Sequence, residues 1–69
     1  MASPDPELTR AAASPDPAVG LPAVAALHRL ADLLETQQVR AARVAGWSWQ
    51  EIAAALGVTK QTVHRKHRP

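Results

Sequence analysis

Ser48 to His67, SWQEIAAALGVTKQTVHRKH, decides how the rest of this 69-residue chain is read. Ser48 is followed three residues later by Glu51, the spacing of a capping box, in which each side chain accepts from the other residue's backbone N–H. A helix is predicted to start there. Ile52 and Leu56 stand four apart and share one face, and Ala53 is small enough to let a second helix cross close by. Gly57 lies where the chain must leave that helix, in a left-handed conformation that costs a glycine nothing. Thr59 is the expected cap of a second helix. In that helix Val63 is the one clearly apolar side chain, predicted to point back toward Ile52, Leu56 and Val58. Lys60, Gln61, His64 and Arg65 then face outward, with Lys66 and Arg68 close behind.

A short helix with one buried anchor and a polar, cationic outer face suits the major groove of DNA. The segment resembles the helix-turn-helix of bacterial DNA-binding proteins. It is most similar to the kind found in sigma factor region 4 and resolvase-type regulators, through Gly46, Ser48, Glu51, Ile52, Ala53, Leu56, Gly57, Val58, Thr59, Thr62, Val63 and Arg65. The resemblance covers the chain from about Thr36 onward. It implies that the second helix is a recognition helix, with Lys60, Gln61, His64 and Arg65 on base edges. Lys66, Arg68 and Arg43 are expected to hold phosphates. Gln50 and Thr59, each near the start of a motif helix, are placed to do the same, because a helix N-terminus favours an anion. The chain ends two residues after His67, so the recognition helix is expected to be short and to need a second copy or another protein beside it.

Composition limits the alternatives. A chain this short buries a modest fraction of its surface and allows one small domain. It has no Cys, Tyr or Phe, so disulfides and cysteine metal sites are excluded. The formal net charge of +2 is unevenly spread. Residues 1–20 set Arg10 against Asp5, Glu7 and Asp16, and residues 21–58 balance Arg29, Arg40 and Arg43 against Asp32, Glu35 and Glu51. Beyond Val58 stand Lys60, Arg65, Lys66 and Arg68 with no acid at all. Such a cluster attracts a polyanion. His64 and His67 are three apart on one helix, yet no third ligand is fixed nearby and both lie among cations, so no metal is expected. His28 is expected on a helix surface. There is no Ser, His and Asp set, no paired carboxylates in a plausible cleft and no glycine loop for phosphate, so neither enzymatic activity nor a cofactor is expected.

From its start, the chain divides into three parts. Residues 1–20 contain SPDP twice, at Ser3–Pro6 and Ser14–Pro17, and are expected to form a mostly disordered Pro/Ala-rich arm, with at most a transient helical turn over Glu7–Ala13. They lack the positive start and apolar run of a secretory signal. Residues 21–45 read as a long amphipathic helix with Pro22 in its first turn. Either one rod runs from about Ala23 to Ala45, or a break near Glu35–Gln37 separates two helices, with Thr36 capping the second; the continuous form is preferred. Residues 46–69 are the helix-turn-helix with its basic C-terminus, giving an all-α fold.

The two halves of the long helix have different tasks. Val39 or Ala42 is expected to pack against Ile52 and Val63 and complete a three-helix core. Val24, Leu27, Leu30 and Leu34 are left without an intramolecular cover and are expected to form a dimer or partner interface. Trp47 and Trp49 bracket the cap residue, Trp47 as a staple and Trp49 in packing at the start of the motif helix. The expected partners are double-stranded DNA and a second copy of the chain, with a protein of the transcription machinery as the alternative, in the cytoplasm on the nucleoid and away from any membrane.

Overall fold

A computed structural model describes residues 6–68. The fold is all-α, with α1 over Pro6–Ala12, α2 over Pro17–Val44, α3 over Trp49–Leu56 and α4 over Lys60–His67. Two compact units are distinguished, residues 1–33 and residues 34–69, and α2 contributes to both.

In the first unit the structure departs from the expected disordered arm. Pro6–Ala12 is helical, and α2 starts at Pro17 instead of Leu21. The cause lies in the second SPDP copy. Asp16 Oδ1 accepts from the Ala18 N–H at 3.0 Å, and its carbonyl accepts from Val19 and Gly20 at 3.0 and 2.9 Å. Pro17 fills the first helical position, where its missing N–H costs nothing. The repeat that reads as a helix breaker is a helix start. Pro6 is likewise the first residue of α1, while Met1–Asp5 lie outside the described residues. Pro22, expected in the first turn, consequently falls inside α2. Gly20 is buried, and a Cβ there would stand 3.4 Å from the Ser14 carbonyl oxygen and 3.6 Å from that of Ala12, so the end of α1 lies close against this point. Leu8, Ala11 and Ala12 are half-buried, and Ala23 is buried.

The long helix runs unbroken through Glu35–Gln37. Thr36 lies in its interior and starts no second helix. By length and composition α2 would suffice to cross a bilayer, with a window of mean hydropathy 1.2. Arg29 and Asp32 oppose that placement, since a charge at the centre of a membrane helix costs about 2.5–3.5 kcal/mol.

The second unit contains the three-helix core. Val39 of α2, Ile52 and Ala53 of α3 and Val63 of α4 are buried together, with Ala42 and Trp49 packed against them. Val39 and Ala42 thus both take the supporting role. Leu56 and Val58 were expected beneath Val63 but are 39% and 44% exposed; the small Ala53 lets α4 seat directly on Ile52. Both glycines that end a helix have positive φ, 93° at Gly46 and 75° at Gly57. Around each, two N–H groups turn back onto the helix. Gly46 and Trp47 donate to the Arg43 and Ala42 carbonyls, and Gly57 and Val58 to those of Ala54 and Ala53. This pattern closes the last turn and reverses the chain.

Asp16→Ala should therefore fray the start of α2, at a cost of about 1 kcal/mol. Amide exchange over Ala18–Leu21 should quicken while Ile52 and Val63 keep their protection. Unchanged exchange at Ala18–Leu21 would contradict the capping role.

Candidate nucleic-acid interface

The motif is assembled by local hydrogen bonds of the predicted kind. Glu51 N–H donates to Ser48 Oγ at 3.0 Å, and Ser48 N–H to Glu51 Oε1 at 2.9 Å. The backbone bond from Ser48, reinforced by its side chain, holds the Glu51 carboxyl below the usual carboxylate range. At α4, Thr62 N–H donates to Thr59 Oγ1 at 3.2 Å, and the two hydroxyls pair at 2.7 Å. These caps place the first turn of α4 immediately after the three-residue connection of Gly57, Val58 and Thr59. With Val63 2% exposed, the opposite side of the helix must face water.

Lys60, Gln61, His64 and Arg65 are all exposed along that outer side. The structure brings these four together on one helix face. The expected phosphate contacts are more varied. Gln50 is exposed on the first turn of α3, and Arg68 is exposed at the end of α4. Thr59 spends its hydroxyl on capping. Arg43 donates from Nη1 to the Trp47 carbonyl at 2.7 Å, and its guanidinium lies 4.7 Å from the Trp49 ring centroid. This side chain ties the end of α2 to the start of α3, a structural task that its sequence position did not reveal. Trp49 also meets His64, with ring centroids 5.1 Å apart and planes at 73°. Trp47 is 43% exposed and lines an open apolar groove with Ala41, Ala45, Ile52, Ala55 and Leu56, so the staple is only partly covered.

Lys66 is held from behind. Its Nζ lies 2.9 Å from Glu35 Oε2, and His67 Nε2 donates to the same oxygen at 2.6 Å. The His67 side chain is 6% exposed. Glu35 of α2 thus fastens the last turn of α4, and its carboxyl is held below the usual range by the bonds from Lys66 and then His67. In the sequence Glu35 stands as one charge in a balance and as the edge of a possible helix break, and neither reading gives it a partner. A partner 32 residues away in sequence leaves no local signal. Arg40, Lys66, His67 and Arg68 line a crevice beside this contact, together with Thr36 and Val39. Among the described residues no group of three His, Cys, Asp or Glu side chains is placed to hold a metal ion.

Because the folded Glu35 carboxyl is the stronger acid, its contribution to stability is present above its ordinary pKa. It is lost as pH falls through the lowered folded value. Glu35→Gln should cost at most about 1 kcal/mol at neutral pH, since the site is partly open to water. The variant should also lose part of the acid-side decline in melting temperature below about pH 4. Parallel melting curves for both proteins from pH 7 to pH 3 would remove Glu35 from this role.

Comparison with known proteins agrees with this geometry. The homeodomain-like domain family matches residues 25–68, which include the second half of the fold with all of α3 and α4. No curated protein and no solved structure gives a significant match. The match begins inside α2 and covers Val39, Ile52, Ala53 and Val63, the side chains that build the three-helix core. It supports a helix-turn-helix with the general capacity to bind DNA. With more than half of its length matched, the chain belongs to the homeodomain-like domain family.

Proposed function

We propose that the protein binds double-stranded DNA sequence-specifically, inserting α4 into the major groove as a transcriptional regulator. One observation carries this proposal: Lys60, Gln61, His64 and Arg65 share the exposed side of a helix whose single buried apolar side chain is Val63. Side chains of these types hydrogen-bond to base edges, Gln to adenine and Arg or Lys to guanine. Gln50 and Arg68 contact backbone phosphates, and Lys66 can join them by leaving Glu35. The motif is of the kind met in sigma factor region 4 and resolvase-type regulators.

The working form is a homodimer. Val24, Leu27 and Leu30 are only half-buried, and Leu33 and Leu34 are 58% and 39% exposed. Pairing these stripes removes apolar surface from water at about 25 cal/mol per Å². It also offers two recognition helices to half-sites about one helical turn apart, which offsets the small contact of one eight-residue α4. The apolar groove around Trp47 and Leu56 favours a second reading, in which the domain grips a protein of the transcription machinery.

Selection of bound duplexes from a random library should return a palindromic site. Gln61→Ala and Arg65→Ala should each relax one position of that site by about 1–3 kcal/mol while leaving residual affinity. Indifference to DNA sequence, combined with tight capture of a protein, would favour the second reading. Sedimentation equilibrium should show twice the 7.4 kDa chain mass at high concentration. A monomer mass at every concentration would overturn the dimer.

A further inference from the structure

Trp49 touches an expected reading residue from behind. Its ring is half-buried against the core of Val39, Ile52, Ala53 and Val63, which leaves it little freedom. One neighbour is the Arg43 guanidinium, 4.7 Å from the ring centroid and tied at 2.7 Å to the Trp47 carbonyl. Another is the imidazole of His64, 5.1 Å away in an edge-to-face arrangement at 73°. Aromatic rings prefer this geometry because the positive edge of one meets the negative face of the other. Three helices therefore converge on one ring: α2 through Arg43, α3 through Trp49 itself and α4 through His64. Lys60, Gln61 and Arg65 share the outer side of α4 but make no such ring contact among the described residues.

An exposed side chain that must choose one rotamer on binding loses affinity, and one already held in place does not. We propose that Trp49 is a positioning residue for recognition, holding the His64 imidazole in one orientation and so determining the base preference at the single base pair His64 reads. Arg43 serves the same end by keeping the Trp49 ring in place. This rests on the DNA-binding reading above. It adds a residue from α3 to the determinants of specificity without giving that residue any contact with a base.

The test combines duplex selection with nuclear magnetic resonance on the full chain. His64→Ala identifies the base pair that His64 reads. Trp49→Leu should weaken the preference at that pair by at least about fivefold, a loss typical of one side-chain contact to a base. The preferences set by Gln61 and Arg65 should survive, and Trp49→Phe, which keeps an aromatic ring, should restore most of the loss. A retained preference at the His64 pair, or an equal loss at every position, would overturn the proposal, since a purely structural Trp49 would act uniformly. Should Trp49→Leu fail to fold, the wild-type protein decides. The His64 ring protons should be displaced by the Trp49 ring current relative to those of Trp49→Phe, both free and bound to duplex, and disappearance of that displacement on binding overturns the proposal. A wild-type protein with no sequence preference would bring down the DNA-binding reading and this inference together. Selection that remains sequence-specific while the Trp49 variants leave the His64 pair untouched would bring down the inference alone.

Discussion

Burial of Val63 is the contact on which the recognition helix depends. α4 has eight residues, and Val63 is its single buried apolar one. A helix that short is not stable alone in water, and one valine contributes about 1.5–3 kcal/mol when fully buried. Its position must therefore be supplied from outside. Ile52 and Ala53 provide the floor, Val39 provides the wall, Thr59 fastens the first turn and Glu35 fastens the last. With one side of α4 committed inward, Lys60, Gln61, His64 and Arg65 are left exposed along the other.

The same economy explains why residues expected on DNA also have structural tasks. Arg43 bridges the end of α2 to Trp47 and Trp49, Thr59 caps α4 and Lys66 pairs with Glu35. In a core this small no large aliphatic cluster is available, so charged and aromatic side chains at its margin complete the packing. For Lys66 the two tasks compete. A phosphate and the Glu35 carboxylate are alternative partners for one ammonium, and Lys66 remains 46% exposed to meet either.

Much of the motif was legible because its determinants are local. Ser48 with Glu51, Gly57, and Thr59 with Thr62 each act over a few residues, and each is found as its spacing requires. Local chemistry is ambiguous where one signal has two meanings. Proline in SPDP forbids a helix interior but favours the first helical position, and Asp16 decides between them by accepting the Ala18 N–H. The start of α2 at Pro17 follows from that bond, as does the placement of Pro22 inside the helix. Pro6 and Glu7, whose sequence suggests at most the start of a transient turn, open the seven-residue α1.

By itself, then, the amino-acid sequence determined the all-α class, the caps, the left-handed turn at Gly57, the buried face built on Ile52 and Val63, and the cationic outer face of α4. All of these follow from periods and spacings within one or two turns of chain. Only the tertiary structure decided which side chains meet across helices. Glu35 against Lys66 and His67, Arg43 over Trp49 and Trp49 against His64 depend on how α2, α3 and α4 cross. A crossing is set by packing volume around Ala53 and Val63, and no interval along the sequence encodes it. That is why the outer face of α4 could be read from the sequence, while the residues that aim it could not.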